Sequence, residues 1–437
     1  PRPSEPAGWI PVRFEGIEKP GGAAMSGRPA MSVQRDSREG TGTPAPLRPV
    51  RILIATIADL PEGGGHTSRL KTLAGCLVRQ GHAVRIWSKH IMGQFPPEML
   101  AVRGQVEGAD YEIIEGTTTR TWGVRSGWMK VRTTARLAAR LWRERRHVDV
   151  LWLNELSFHD MLPLMVLARL AGIPTVLSYE DEHVALCAGA TLAWQQRIFT
   201  GLDDRLADRL LVRRADAVVV ICTYLQEKFA ALGARNLTLV PTIVNLDQWH
   251  CPPRPPEGRL RFFYAGSLYG TYVLKEILGA MGGLRAEGFA FEFQVFGDVQ
   301  QGLLMPELLR LRQEFGLQDC VHFSESVPLD ELRREIDQAD VLLCVRADNQ
   351  RSRSGLSTKL SECLASGRAT VTSRVGDVPR YLTDGVNALI VPSTSVADIQ
   401  NTLRQCLKDR ARLPVIGAAG REVARRHFSY EVNGLVL

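Results

Sequence analysis

The sequence predicts an α/β protein with two doubly wound domains, and three observations support this prediction. Short apolar runs alternate with helical stretches, which is the pattern of a parallel sheet covered on both faces. The chain has 437 residues, too many for one ordinary core. A proline-rich break, CPPRPPEG (251–258), interrupts the alternation, which then restarts. We therefore expect two α/β domains joined by a linker at 251–258.

The N-terminal domain begins with VRILIATIA (50–58), an apolar run suited to a strand buried on both faces. PEGGGHTSR, a helix ending at Gly81 and the strand AVRIW follow. Further strands are predicted at DVLWLN (149–154), PTVLSY (174–179), ADAVVVIC (215–222) and LTLVPT (237–242). We assign this domain to residues 48–250. Residues 1–47 are rich in Pro, Gly, Ser and Arg, so we expect a disordered tail there.

The C-terminal domain is assigned to residues 259–425. Its predicted strands are LRFFYAGS (260–267), FEFQVFGD (291–298), CVHFSESV (320–327), VLLCVRA (341–347), ATVTS (369–373) and NALIVP (387–392). Residues 426–437 form a final segment that we expect to pack back on the N-terminal domain. Doubly wound sheets bind ligands beyond the carboxyl ends of their strands. With two such sheets, the cleft between the facing domains is the predicted site.

Charge and cysteine usage limit the classes of partner. The net charge of +7 favours anionic partners, but no recognised nucleic-acid motif accompanies it, so nucleic acid is not expected. The eight cysteines are scattered without a CxxC pair, which indicates a reduced setting and no metal site. The longest apolar stretch is interrupted by an arginine and two prolines, and no signal peptide is recognisable, so we expect a cytoplasmic protein. The sequence starts at Pro1, and Met25 and Met31 are candidate initiators.

The segment WMKVRTTARLAARLWRERRH (128–147) carries seven lysines and arginines against Glu144 alone. Val131, Leu137, Leu141 and Trp142 are its apolar members, which suits an amphipathic helix. Such a helix can lie on the anionic inner face of a cell membrane or bind an anionic acceptor. A solvated surface helix is the alternative.

The stretch SGLSTKLSECLASGRATVTS (354–373) predicts a loop, a helix, a glycine stop and a strand. Ser357 is a suitable N-cap and Gly367 a suitable stop. The apolar face of this helix consists of Leu356, Leu360, Cys363 and Leu364. Lys359 lies in the first turn, where a cation opposes the helix dipole, and no capping box explains Glu362. Either the two form a solvated ion pair, or an anion binds the helix N-terminus and Lys359 while Glu362 accepts hydrogen bonds from nearby hydroxyls.

Two glycine-containing loops follow predicted strands in the same way. In Gly63-Gly64-Gly65-His66-Thr67 the backbone can approach a ligand closely at a helix start. A plain turn is the alternative, because the loop is not a GxGxxG motif. In AGSLYGTYVLK (265–275), Gly266, Ser267 and Lys275 could grip a diphosphate. Together the three loops describe a nucleotide diphosphate held mainly by the C-terminal domain.

From residue 50 to about 430 the chain resembles a GT-B glycosyltransferase of the large retaining family GT4, the glycosyl transferases group 1. The specific part is the pair STKLSECLASGRATVTS and VGDVPRYLTDGVNALIVP, in this order and spacing; RFFYAGSL, FQVFGD, VHFSESVPLDELRREIDQADVLL and FSY also fit. The N-terminal match, GGGHTSRLKTLAGCLVRQGHAVRI, is typical but less specific. The resemblance implies the GT-B architecture, in which two facing Rossmann-like doubly wound domains enclose an interdomain cleft.

The resemblance also implies a reaction and its participants. A sugar would pass, with retention, from a UDP- or GDP-linked donor to an acceptor glycan or lipid-linked saccharide, such as a polysaccharide or glycolipid precursor. No metal or further cofactor is implied, because the helix N-terminus and lysines would neutralise the leaving diphosphate. The donor's own phosphate oxygen would take the acceptor proton, and the protein would position the reactants.

The resemblance implies roles for individual residues. Lys359 and the Gly266-Ser267 loop would hold the diphosphate, Glu362 the ribose, and Phe323 would border the base. The implied donor-binding set is Gly65, Gly266, Ser267, Lys275, Phe323, Ser354, Gly355, Leu356, Ser357, Lys359 and Glu362. The implied catalytic residues are Asp181, Lys359 and Glu362, with Asp181 contacting the sugar or acceptor or, alternatively, capping the next helix. Further candidates are His66, Thr67, Glu180, His183, Arg346, Arg351 and Arg353.

Three departures from the family pattern set the competing hypotheses. Ser354 replaces the first glutamate of the family's pair, Ser267 replaces an arginine, and the N-terminal-domain histidine has no clear match. Arg346, Arg351 or Arg353 could supply the missing charge. These departures keep open a catalytically silent GT-B binding or scaffold module. A nucleotide-sugar epimerase is less favoured, because only Asp181 and His183 offer acid–base groups.

Overall fold

The computed structural model describes residues 48–89, 102–114, 124–180, 201–203, 205–249, 252–266, 268, 273–299, 302, 304–434 and 436, with residues 124–130 described as backbone only. Two sheets, one in each domain, organise these residues; the N-terminal one is parallel except at one edge and the C-terminal one is parallel throughout. All twelve strands expected from the apolar runs are confirmed, with ends that differ by a few residues.

The N-terminal domain contains an eight-stranded sheet in the described residues. Its strands are β1 (Arg51–Thr56), β2 (Ala83–Ser88), β3 (Arg103–Val106), β4 (Ala109–Ile113), β5 (Val150–Asn154), β6 (Thr175–Tyr179), β7 (Ala217–Val220) and β8 (Leu237–Leu239). They follow the order β3-β4-β2-β1-β5-β6-β7-β8. The strand order reverses between β1 and β5, which is where ligands bind in such sheets.

Helices cover this sheet. They include α1 (Gly65–Arg79), α2 (Val124–Glu144), α3 (Phe158–Ala171) and α4 (Thr223–Ala231), with short 3₁₀ turns at Arg145–His147 and Leu246–Gln248 and a π turn at Ala207–Leu211. Helix α1 carries the buried residues Leu70, Leu73 and Leu77 against the sheet, which fixes its N-terminus beyond the end of β1. No helix within the described ranges is both long and apolar enough to span a membrane.

The hairpin of β3 and β4 was not predicted, and it forms the antiparallel edge of the sheet. Its connection is the two-residue turn Glu107-Gly108, in which both residues have positive φ, 48° and 83°. Such turns match the twist of a hairpin, and glycine favours them. Most of β3 is exposed, so it lacks the continuous apolar run that marks the other strands.

The C-terminal domain has a six-stranded, all-parallel sheet in its described part. Its strands are β9 (Leu260–Ala265), β10 (Phe291–Gly297), β11 (Val321–Glu325), β12 (Val341–Cys344), β13 (Ala369–Ser373) and β14 (Leu389–Val391). The order β11-β10-β9-β12-β13-β14 is that of the Rossmann fold, with the reversal between β9 and β12.

The helices that complete the chain are α5 (Leu274–Ala286), α6 (Met305–Glu314), α7 (Leu329–Gln338), α8 (Gln350–Arg353), α9 (Thr358–Ser366), α10 (Val378–Tyr381), α11 (Val396–Lys408), α12 (Leu413–His427) and α13 (Tyr430–Gly434). Helix α13 lies on the N-terminal domain. Tyr430 is buried in that domain's core, and its carbonyl accepts a hydrogen bond from Cys76 Sγ at 3.3 Å. The Val244 N–H donates to the Phe428 carbonyl at 2.8 Å. The chain therefore crosses back to the first domain at its C-terminus.

The carboxyl ends of the two sheets face each other. Residues that follow β7 and β8 contact residues that follow β12. Cys222 Sγ donates to the Ser354 carbonyl at 3.1 Å, and Thr242 Oγ1 lies 3.0 Å from Ser361 Oγ. This arrangement places the site between the two strand reversals.

Candidate functional site

Helix α9 presents its N-terminus to the cleft between the domains. Ser357 occupies the N-cap position as predicted, but its side chain makes no capping hydrogen bond. The helix ends at Gly367, which has φ 81°, and its predicted apolar face is buried. Because the first N–H groups of a helix have no partner within the helix, they can bind an anion.

Lys359 lies against the end of strand β9. Its ammonium nitrogen is buried and lies 4.1 Å from the centroid of the Tyr264 ring, whose face attracts a cation. A Cβ added at Gly266 would lie 2.0 Å from Lys359 Nζ, and Gly266 has φ +146°. Only glycine allows this approach. The structure thus brings the Gly266 loop and the first turn of α9 together.

Glu362 lies one turn further along α9 and is half-buried. Burial raises the pKa of its carboxyl group to about 7, although Lys359 and Arg333 oppose the shift. No described residue forms a hydrogen bond with this carboxylate. It is therefore able to accept hydrogen bonds from the hydroxyl groups of a ligand in the cleft.

The loop before α9 is held from both domains. The Ser354 hydroxyl is buried and donates to the Arg351 carbonyl at 3.3 Å, while the Ser354 carbonyl is held by Cys222 of the N-terminal domain. Arg346 Nη1 donates to the Gly355 carbonyl at 3.4 Å. Leu356 is buried in the core. This loop is thus rigidly placed, and Arg346 is the arginine that supports it.

Two of the other cationic candidates, Arg353 and Lys275, form ion pairs with carboxylates outside α9. Arg353 makes a two-pronged ion pair with Asp348, at 2.6 and 2.8 Å, on the exposed surface. Arg351 is exposed and belongs to the same short helix, α8. Lys275 Nζ lies 3.4 Å from Glu307 in a half-exposed ion pair. Neither ion pair includes a residue of α9.

Phe323 lies in β11, at the edge of the C-terminal sheet, and is partly buried against that domain's core. The Arg312 guanidinium lies 5.6 Å from its ring centroid. Its predicted role beside a nucleobase stays a prediction.

The glycine loop of the N-terminal domain meets α9 across the cleft. A Cβ added at Gly65 would lie 3.3 Å from Thr358 Oγ1, so the backbone at the start of α1 lies close to the start of α9. Gly64 is the N-cap of α1 and provides no side chain to fill the helix end. Two helix N-termini therefore converge on the same gap, and both favour negative charge.

His66 and Thr67 follow Gly65 and differ in their surroundings. His66 is half-buried, and its Nε2 lies 2.8 Å from Asn154 Oδ1. Thr67 is buried, and its hydroxyl donates to the Asp59 carbonyl at 2.7 Å, which braces the loop. Glu180 is buried near His66 and accepts a hydrogen bond from Asn154 Nδ2 at 2.9 Å. Burial raises the pKa of the Glu180 carboxyl group.

One contact between the domains was not predicted. Asp377, from the loop after β13, accepts hydrogen bonds from the N–H of Thr223, at 2.8 Å, and from its hydroxyl. It therefore caps α4 of the opposite domain. The sequence offers no sign of this pair, because the two residues are 154 positions apart and belong to different domains.

Three predicted site residues, Ser267, Asp181 and His183, lie outside the described residues. In the ranges that the structure covers, no three His, Cys, Asp or Glu side chains are grouped so that they could hold a metal ion. The six cysteines that it describes are buried and form no disulfide with one another. The assembled site thus offers two helix N-termini, a lysine and a half-buried carboxylate, which together can bind an anionic ligand that carries hydroxyl groups.

Comparison with known families agrees with this geometry. Residues 64–243 match the family model of the glycosyl transferase 4-like domain, and residues 259–409 match that of the glycosyl transferases group 1. The chain is 24% identical over 397 residues to a GDP-mannose-dependent alpha-(1-6)-phosphatidylinositol monomannoside mannosyltransferase of Mycolicibacterium smegmatis. The match covers 88% of this chain and 96% of that protein. A Mycobacterium tuberculosis protein of the same name is 24% identical over 392 residues, covering 85% of this chain and 93% of its own.

Solved structures share the fold at low identity. Sucrose-phosphate synthase from Thermosynechococcus elongatus superposes with a TM-score of 0.69 at 17% identity, over 89% of this chain and 97% of that one. Anabaena HepE in complex with UDP-glucose superposes with a TM-score of 0.65 at 13% identity, over 88% and 97%. With its two facing Rossmann-like domains and a matching family model for each, the chain belongs to the GT4 family of GT-B glycosyltransferases.

Proposed function

We propose that the protein transfers a sugar, with retention and without a metal ion, from a UDP- or GDP-linked donor to the precursor of a cell-surface glycolipid or polysaccharide. The observation that carries the proposal is the convergence of the α1 and α9 N-termini, with Lys359 pressed against Gly266. This arrangement suits the diphosphate of a nucleotide sugar, which needs dense positive charge within a small space.

The same arrangement supports a reaction without a metal. As the bond between the anomeric carbon and the diphosphate breaks, negative charge grows on the leaving phosphate oxygens. Helix N–H groups and the Lys359 ammonium are fixed in place before the reaction, so they stabilise that charge without reorganisation. The departing diphosphate would accept the proton of the attacking hydroxyl on the same face of the sugar, which would give retention.

The nature of the acceptor is proposed from two observations. The mycobacterial relatives carry names that specify a phosphatidylinositol mannoside acceptor and GDP-mannose. In addition, helix α2 exposes two adjacent stripes. At about 100° per residue, Arg132, Arg136 and Arg143 share one stripe, and Val131 and Trp142 lie beside it. Their exposed fractions are 60% for Val131 and 41% for Trp142.

An exposed apolar stripe beside a basic one is typical of helices that lie on anionic membranes. We propose that α2 holds the protein on the inner face of the cell membrane near a lipid-linked acceptor. The side chains of Trp128, Met129 and Lys130, also in the predicted segment, lie outside the described part. Flotation with vesicles containing phosphatidylglycerol should recover the wild type, whereas Arg132→Glu/Arg136→Glu should lose this recovery. Arg235→Glu, an exposed change elsewhere in the domain, is the control, and equal flotation with neutral vesicles would contradict the proposal.

Donor binding and transfer test the main proposal. Thermal unfolding of the purified chain with GDP-mannose, UDP-glucose and ADP-glucose should show stabilisation by one nucleotide class, about 2.7 kcal/mol at a concentration of 100 Kd. Glu362→Ala should abolish that shift. Incubation of the stabilising donor with membrane lipids, in the presence of EDTA, should yield a glycolipid with the donor's anomeric configuration. Donor binding without transfer or hydrolysis would instead favour a silent binding module.

A further inference from the structure

A buried polar network lies at the strand reversal of the N-terminal sheet. Thr56 ends β1, Asn154 ends β5, and Glu180 follows β6, and all three are buried. The Asn154 amide is at the centre of this network. Its Oδ1 accepts from Thr56 Oγ1 at 3.2 Å, and its Nδ2 lies 2.7 Å from Ser178 Oγ and 2.9 Å from Glu180 Oε1.

Two residues hold Glu180 in place: the Arg69 guanidinium lies beside its carboxylate, and Glu155 binds its backbone N–H. Arg69 Nε lies 3.6 Å from Glu180 Oε1, and the Arg69 guanidinium is anchored by hydrogen bonds to the carbonyls of Pro241 and Val240, at 2.8 and 2.9 Å. The Glu180 N–H donates to Glu155 Oε1 at 2.5 Å. Oε1 faces the Arg69 guanidinium, which can only donate, so Oε1 is also the acceptor in its contact with Asn154.

The acceptor on Glu180 determines how the Asn154 amide is oriented. The NH₂ group must face Glu180, so the Oδ1 atom must face His66. Asn154 Oδ1 can only accept, and it lies 2.8 Å from His66 Nε2. His66 Nε2 must therefore carry a hydrogen. In the neutral imidazole, this leaves the lone pair on Nδ1.

His66 stands at the edge of the cleft. Its neighbour Gly65 lies beside Thr358 of the opposite domain, and the imidazole is half-buried. Nδ1 has no hydrogen-bond partner among the residues that the structure describes. The His66 ring is thus held by its hydrogen bond from Nε2 to Asn154, and Nδ1 is available to accept a hydrogen bond from a ligand.

We infer that Glu180 and Asn154 hold His66 in the Nε2–H tautomer, and that His66 Nδ1 accepts a hydrogen bond from a hydroxyl group of the acceptor. This inference rests on the proposed function and adds a specificity-determining contact to it. His66 touches the substrate, whereas Asn154 and Glu180 are positioning residues that act through it. The hydroxyl proton stays on its oxygen in this contact, so His66 orients the acceptor and does not deprotonate it.

His66→Gln separates this role from a structural one. The glutamine amide can still donate to Asn154 Oδ1, but it has no counterpart of the second ring nitrogen. The KM for the acceptor should rise about tenfold, the worth of one hydrogen bond, while the donor-induced thermal shift is unchanged. If His66 served only to brace Asn154, His66→Gln would keep the wild-type KM, and that result would overturn the inference.

A second measurement does not depend on turnover. In ¹⁵N-histidine-labelled protein, the His66 signals are identified by their loss in His66→Gln, and they should report a protonated Nε2 and an unprotonated Nδ1. Asn154→Leu should abolish this preference, whereas Ser178→Ala, which leaves the bond from Asn154 to Glu180 in place, should retain it. A protonated Nδ1 in the neutral wild-type ring would overturn the inference. Failure of the wild type to transfer sugar would refute the proposed function and leave the tautomer result to stand alone.

Discussion

A Cβ added at Gly65 would lie 3.3 Å from the hydroxyl oxygen of Thr358, although the two residues belong to different domains. Gly65 begins α1 and Thr358 begins α9, so the contact brings two helix N-termini to one point. Neither N-cap supplies a side-chain hydrogen bond. The positive ends of both helices are therefore directed at a shared space that an anion can fill.

A large side chain at Gly65 should disrupt this convergence. In Gly65→Leu the new atoms would meet Thr358, whose Oγ1 lies only 3.3 Å from an added Cβ, and the domains would have to separate. We expect kcat to fall at least about tenfold, because small misplacements of reacting groups are costly. We propose that the C-terminal domain makes most of the donor contacts and α1 the rest, so the donor-induced thermal shift should be reduced but not lost. Gly201→Leu, where an added Cβ meets nothing within 4 Å, should leave kcat unchanged.

A methyl group at Gly266 should displace Lys359. Gly266→Ala places a Cβ where Lys359 Nζ now lies and also strains a backbone with φ +146°. Gly288→Ala is the matched control, because φ is +86° but the space around it is open. Both variants should lose some stability, of the order of 1 kcal/mol. Only Gly266→Ala should weaken donor binding in calorimetry, and equal donor affinities in the two variants would refute the assignment of Lys359 to the diphosphate.

Donor binding should depend on pH through Glu362. Because the pKa of this carboxyl group is about 7, it is largely protonated below that pH and accepts fewer hydrogen bonds from ribose hydroxyls. Donor affinity should therefore rise with pH through about 7 and then level off. Isothermal titration from about pH 6 to about pH 8 would measure this, and Glu362→Gln, which cannot ionise, should bind more weakly with no such rise.

The effect on the stability of the ligand-free protein has the opposite sign. The folded-state pKa of Glu362 lies above its unfolded value of 4.5. Its contribution to the free energy of unfolding is thus fully present below about pH 4.5 and is lost as the pH rises through about 7. Glu362→Gln should be more stable than the wild type at about pH 8. Thermal unfolding of both proteins at about pH 4.5 and about pH 8 would detect this difference.

Arg346 and Arg353 should differ in their importance. Arg346 supports the Gly355 carbonyl, and its Nε is buried without a hydrogen-bond partner among the described residues. Arg353 is exposed and paired with Asp348. Arg346→Ala should lower kcat/KM by about 10²-fold, as expected for a charge near a developing anion. Arg353→Ala should change it by less than about threefold; the reverse ranking would show that the α8 surface approaches the donor.

Asp377 should contribute to holding the domains together. Asp377→Ala would leave the N–H of Thr223 without its cap, which costs about 1 kcal/mol. Because the bond joins the two domains, small-angle scattering should show a larger radius of gyration in the absence of donor. Asp377→Asn retains one acceptor oxygen and should have a smaller effect. An unchanged radius in Asp377→Ala would mean that the other contacts between the domains suffice.

Much of the fold could be predicted because its signals are local. Continuous apolar runs mark strands buried on both faces, and Ser357 and Gly367 bound α9 at the predicted positions. The β3–β4 hairpin escaped prediction because its edge strand is exposed and its turn uses Glu107 in a left-handed conformation. The pattern that identifies strands reports burial, so an exposed strand does not carry it.

The sequence by itself determined the two α/β domains, the family, and the loops at strand ends that could bind an anion in the cleft. Only the tertiary structure decided which side chains meet. It placed Gly65 beside Thr358, showed that Arg346 and not Arg353 supports the loop before α9, and joined His66 to Asn154. The reason is that these contacts depend on how the strand ends come together in three dimensions. Hydrophobic periodicity reports only local structure, so it cannot show which residues far apart in the chain will pair.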